Sequence, residues 1–149
     1  IYGVNQEGPG DMYNKGANMI HTLRTWLNDD VKFREILRGL NKAFYHQTVT
    51  TQQIEQYISK HAGLDLKAFF DQYLRTKNVP VLELKKEGEY YLYRYIDIVD
   101  DFAMPLQIEN SELILYPTKE WKKLKDTSFK TSFDINPDPN YYIHTIVIK

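Results

Sequence analysis

Hydrophobic positions recur at two different periods along this chain, and the change falls near its middle. Ala17, Ile20, Leu23 and Leu27 follow at steps of three and four, the spacing that places side chains on one face of an α-helix. Pro9 and Gly10 interrupt regular structure before them. Asp11 is read as the N-cap, because its carboxylate can accept from the free N–H groups of a first turn. The spacing predicts a first helix over Asp11 to Leu27. Asn28-Asp29-Asp30 supplies a turn and the next cap, and Phe33, Ile36, Leu37, Leu40 and Phe44 form the stripe of a second helix. Thr50 and Gln53 have the spacing of a capping box ahead of a third, in which Ile54, Tyr57, Ile58 and His61 share a face and Gly63 suits a left-handed end. Asp65 opens a fourth, with Leu66, Phe69, Phe70, Tyr73 and Leu74 facing inward; Asn78 and Pro80 prevent its continuation.

From Val81 the period is two. Tyr91, Tyr93 and Tyr95 alternate with Leu92, Arg94 and Ile96; Met104, Leu106 and Ile108 do the same, as do Phe129, Thr131, Phe133 and Ile135, and finally Ile143, Thr145 and Val147. Turn chemistry separates these runs at Glu87-Gly88, Asp100-Asp101, Asn110-Ser111 and Asn136-Pro-Asp-Pro-Asn140. The predicted class is α+β: an N-terminal four-helix segment over residues 1–78, followed by a small antiparallel β-sandwich over residues 79–149.

Composition narrows the possibilities. The 149 residues are 42% hydrophobic and 26% charged, which predicts a packed core rather than disorder. A net charge of −1 offers no electrostatic footprint for nucleic acid, and no apolar run is long enough to span a bilayer. Cysteine is absent, so thiol chemistry and disulfides are excluded. The chain begins at Ile1 rather than Met, and reads as a piece of a longer protein.

The segment Tyr13-Asn-Lys-Gly-Ala17 carries the chemistry. It resembles the Tyr-x-Lys-Gly-Ala segment of the aminopeptidase N-like zinc metallopeptidases (the M1 family of gluzincins). The helix ending near Leu27, the Asp29-Asp30-Val31 start of the next, the Thr50-Thr51 opening, and Asp65-Leu-Lys-Ala-Phe-Phe-Asp-Gln-Tyr-Leu74 followed by Val79-Pro-Val-Leu82 are similar to that family in order and spacing. The resemblance implies the end of a peptidase domain followed by a β domain. It also implies that Tyr13 is catalytic, donating a hydrogen bond to the oxyanion formed as water adds to a peptide carbonyl. A neutral phenol can stabilise that charge without ionising. The structural alternative is a tyrosine packed at a helix start with its hydroxyl in water.

Zinc peptidases of this kind need His-Glu-x-x-His on one helix. His21, His46, His61 and His144 are not followed by glutamate, and no two lie four apart. The resemblance therefore implies that zinc in the parent enzyme, its ligands and the general base come from residues upstream of Ile1. No zinc is expected on this chain, and the chain is expected to be inactive alone although the parent cleaves peptide substrates from their N-terminus.

Several residues have two readings. Lys15 contacts substrate or a neighbouring domain, or is solvated. Gly16, costing about 1 kcal/mol relative to Ala inside a helix, suggests a close neighbour. Glu7-Gly8-Pro9-Gly10 is not a phosphate loop; the family resemblance implies a positioning loop beside the active site. The run Glu89 to Tyr95 either stacks on sugars or proteins as a non-catalytic binding face, or simply packs as strand aromatics do. Lys119 to Lys125, with Trp121, reads as a solvated hairpin end.

Overall fold

A computed structural model describes residues 10–125 and 129–148. Four helices come first: α1 (Asp11–Leu27), α2 (Asp30–Ala43), α3 (Thr51–Ala62) and α4 (Lys67–Arg75). The strands follow: β1 (Val81–Glu87), β2 (Tyr90–Ile96), β3 (Leu106–Gln107), β4 (Ile114–Leu115), β5 (Lys122–Leu124) and β6 (His144–Val147). The class is α+β, with helices before strands, as the two periods predict. The expected loop over Glu7 to Pro9 lies outside the described residues.

Local chemistry sets most helix ends. The Asp29 carboxylate accepts the Lys32 N–H at 2.9 Å and opens α2. Thr50 and Gln53 form the reciprocal capping box of α3, and Gly63 closes that helix in the left-handed region at φ 71°. Asp65, expected to cap α4, accepts the Lys67 N–H at 3.0 Å, but the N-cap position is Leu66, one residue later, and carries no side-chain cap bond. The cap of α1 differs from expectation: Gly10, not Asp11, occupies the N-cap position, so the helix opens one residue earlier.

The buried side of α1 also differs. Met19, Thr22 and Leu23 are buried and Trp26 is half-buried, whereas Ala17 is exposed and Ile20 and Leu27 are half-buried. Both sets follow helical spacing, so α1 carries two apolar stripes about a third of a turn apart; the second is half-covered, with Ile20 and Leu27 packed against the core and Ala17 exposed. Leu74 departs too, being 46% exposed at the end of α4.

The sheet runs β5-β2-β1-β6, with β3 and β4 as a separate two-stranded ribbon. β1 and β2 are antiparallel, placing Leu82 opposite Tyr95 and Leu84 opposite Tyr93. β6 lies parallel to β1, so the sheet is mixed rather than wholly antiparallel. The reason is the long connection through β3, β4 and β5, which lets the chain re-enter the sheet in the same direction. The alternating run from Phe129 to Ile135 is not a strand. There the Asp134 carboxylate accepts the N–H groups of Lys130 and Thr131 at 3.0 and 2.7 Å, folding Ser132–Asp134 into a 3₁₀ turn.

The inner sheet face and the helices share one hydrophobic cluster. Leu82, Leu84, Tyr93 and Tyr95 meet Leu23, Ile36, Ile58, Phe69, Phe70 and Tyr73 there. The outer sheet face is ionic. Arg94 pairs with the buried Glu83 at 2.6 Å and lies 4.4 Å from the Trp121 ring centre. Trp121 is therefore packed over a cation rather than free in a solvated hairpin end.

Candidate functional site

Tyr13 lies in the first turn of α1, and its side chain is 66% exposed. At 100° per residue, Tyr13, Ala17 and Ile20 stand within a narrow band of the helix, with Gly16 at its edge. This is the N-terminal part of the second apolar stripe: among the described residues Tyr13 and Ala17 are exposed, while Ile20 packs part-buried against the core. Nothing lies within 4 Å of a Cβ placed on Gly16. The close neighbour expected there is thus absent among the described residues. Among the described residues no side chain hydrogen-bonds to the Tyr13 phenol.

The third motif residue has a different place. Lys15 points toward the body of the protein, and its ammonium donates to the Thr76 carbonyl at 2.5 Å. Thr76 follows the last residue of α4. One lysine therefore ties the start of α1 to the exit of the helical segment, a role between the two sequence readings: neither solvated nor free for substrate.

Two buried polar residues hold the same junction, and sequence reasoning did not single them out. Gln72 is 0% exposed. Its Nε2 donates to the carbonyls of Asn78 and Asp97 at 3.0 and 3.1 Å, and its Oε1 accepts the Val99 N–H at 2.7 Å. It stitches α4 to the start of β1 and to the loop after β2. Thr22, also fully buried, accepts the Tyr142 N–H on Oγ1 at 2.8 Å, while the Tyr73 hydroxyl donates to the Tyr142 carbonyl at 2.7 Å. These bonds clamp the segment entering β6 onto α1 and α4. A signal was present: each is a polar residue at a position whose helical neighbours, Met19 with Leu23 and Phe69 with Tyr73, are all core. Burial pushes the Tyr73 phenol, and the fully buried Tyr95 phenol, well above the ordinary range, so both remain neutral donors.

The histidines are scattered. His21 Nε2 is 2.8 Å from Asn140 Oδ1, His61 Nδ1 is 2.8 Å from the Tyr57 carbonyl, His46 sits in a connector at φ 51°, and His144 opens β6. Among the described residues no three His, Cys, Asp or Glu side chains are grouped to hold a metal ion. No described helix is long and apolar enough to cross a membrane.

The tyrosine-bearing strand does not form a binding face. Tyr91, Tyr93 and Tyr95 are buried, and the hydroxyls of Tyr91 and Tyr95 donate to the carbonyls of Phe129 and Met104 at 2.7 and 3.0 Å. Alternation placed all three on one face, but that face is buried, in part under Phe102, Met104 and Phe129, so these three rings are not open to stack on a glycan or protein.

No protein-family model matches the chain. Over 71 residues it is 30% identical to aminopeptidase N of Lactococcus lactis subsp. lactis, a match covering 48% of this chain and 8% of that protein. Its fold is similar to part of Legionella pneumophila aminopeptidase A, solved in complex with aspartic acid: the TM-score is 0.60 at 14% identity, over 91% of this chain and 18% of that one. The chain thus spans under a fifth of either protein, and its sequence and fold relate it to a portion of aminopeptidases.

Proposed function

We propose that this chain is the part of a zinc-dependent aminopeptidase of the aminopeptidase N-like family that closes one wall of the active site. Residues 1–78 form that wall, and residues 79–149 form a β domain that braces it. Tyr13 is the catalytic residue supplied by this chain. As water adds to the carbonyl of an N-terminal residue, the new C–O bond pushes an electron pair onto the carbonyl oxygen. The Tyr13 hydroxyl donates a hydrogen bond to that oxygen and keeps its proton throughout.

One observation supports this reading: at the start of α1, Tyr13 and Ala17 are exposed and no described residue covers them. A phenol, a glycine with open space beside it and an alanine form a smooth surface that nothing within the described chain occupies. Such a face suits close packing against a second body, with the phenol at its edge. The bonds from Lys15 to Thr76 and from Tyr142 to Thr22 hold α1 from behind, as a group that must sit within a fraction of an ångström of a reacting atom requires.

Among the described residues no three His, Cys, Asp or Glu side chains are grouped to hold a metal ion. Zinc, its ligands and the general base belong, on this proposal, to sequence outside these 149 residues. The test uses the longer protein carrying this sequence. Tyr13→Phe should lower kcat about 100- to 1000-fold with little change in KM, as loss of one oxyanion donor does. An unchanged kcat would sink the assignment. The isolated chain should show no turnover of fluorogenic aminoacyl substrates, and activity in a pure preparation would do equal damage.

A further inference from the structure

At the opposite end of α1 from Tyr13, about 18 Å along the helix axis, two cavities of about 280 and 350 Å³ adjoin. Both are bordered by Thr25, Asn28 and Asp138. The first is also walled by Trp26, Tyr116 and Tyr141. Its floor is held by main-chain bonds: the Asp138 N–H donates to the Gln107 carbonyl at 2.9 Å, and the Tyr141 N–H to the Asp138 carbonyl at 3.1 Å.

The cleft carries acceptors left without donors, and several of its donors are already engaged, although the side-chain amides of Asn28 and Asn140, the Trp26 indole and the Tyr116 hydroxyl also border it. The Thr25 hydroxyl is spent on the His21 carbonyl at 3.0 Å, and the Gln107 amide on the carbonyls of Ser111 and Leu113. Arg24, on the rim, is held by both carboxylate oxygens of Asp30 at 2.7 Å each. Against these, Asp138 Oδ1 accepts the Asn140 N–H at 2.8 Å, and no donor among the described residues reaches Oδ2. The Asn28 N–H takes the Arg24 carbonyl, but among the described residues the next carbonyls, of Thr25 and Trp26, have no partner. The end of a helix also carries about half a negative charge.

From this set we infer that the cleft binds the guanidinium of an arginine side chain presented by another polypeptide segment. The planar cation stacks on the aromatic wall and donates to Asp138 and to the helix-end carbonyls, matching several acceptors at once. An anion would meet Asp138 and the negative helix end. A neutral apolar group would leave those acceptors desolvated and unpaired. The inference does not depend on any role for Tyr13.

The experiment is calorimetric titration of the chain with the blocked tripeptide acetyl-Gly-Arg-Gly-amide, and with its lysine, norleucine and glutamate counterparts. The arginine peptide should bind about tenfold or more tightly than the norleucine peptide. Asp138→Asn keeps the oxygen that accepts from Asn140, so the fold should persist by circular dichroism, while arginine affinity should fall about tenfold. Tyr116→Ala, at a side chain 58% exposed, should weaken binding about two- to fivefold. The inference is overturned if the arginine peptide shows no saturable binding at millimolar concentration. It is overturned equally if norleucine or lysine binds as well, or if Asp138→Asn leaves the affinity unchanged.

Discussion

The two sides of α1 are made of similar residues and meet opposite fates. Inward, Met19, Thr22 and Leu23 are buried, and the one polar group among them has its partner. Outward, Tyr13, Gly16 and Ala17 have the same helical spacing and no described neighbour covering them. An apolar stripe on a helix therefore says that something packs there without saying what. The buried stripe builds this chain's stability, and the open one is available to a second body. The tyrosines repeat the contrast: Tyr73 and Tyr95 are sealed donors, whereas Tyr13 stands in solvent.

Alkali should separate the two classes of tyrosine most forcefully. The folded pKa of Tyr73 and Tyr95 is raised by burial, so their contribution to stability is fully present below the ordinary phenol value near 10 and is lost as pH rises through and beyond it. Phenol ionisation is followed by absorbance at 295 nm. Tyr73 and Tyr95 should ionise only together with loss of the helical circular dichroism signal. Simultaneous ionisation of all twelve tyrosines with the fold intact would contradict the burial.

Core truncation comes next in size. Leu23→Ala on the inner stripe should cost about 3 kcal/mol in urea unfolding, while Ala17→Ser, on the exposed side, should cost under about 1 kcal/mol. Equal costs would erase the distinction between the stripes. Gln72→Leu should cost about 2 kcal/mol, because the carbonyls of Asn78 and Asp97 and the N–H of Val99 lose their partners in a dry site. A neutral effect would mean that water replaces the side chain there.

The smallest change is the most discriminating. Gly16 has open space around its Cβ position, so Gly16→Ala should stabilise the isolated chain by up to about 1 kcal/mol. In the longer protein the same methyl group would stand in the proposed contact and should lower peptidase activity. A gain in stability with no loss of activity would show that nothing docks on this stripe.

Much of the fold was legible from periodicity and caps. Thr50 with Gln53, Gly63, Asp29 and the tyrosine alternation of β2 all act through bonds within a few residues, and such bonds form whatever the rest of the chain does. The Phe129 to Ile135 run misled because Asp134 captures nearby N–H groups, a local competitor that outweighs alternation. The parallel placing of β6 was not legible, since strand direction depends on how a long connection travels. Candidate chemistry followed the same divide: Tyr13 was visible as a motif, while Gln72 and Thr22 needed their partners from distant segments before they could be recognised as joints.

By itself, the order of residues determined where helices begin and end and where the period turns from helix to strand, because those depend on short-range sterics and capping. Which of the two stripes of α1 is buried, whether Tyr91, Tyr93 and Tyr95 face a ligand or a core, and that Asp138 shares a cleft with the end of α1 were decided only in three dimensions. Each depends on surfaces from remote parts of the chain competing to exclude water, and that competition has no outcome until all of them are in place.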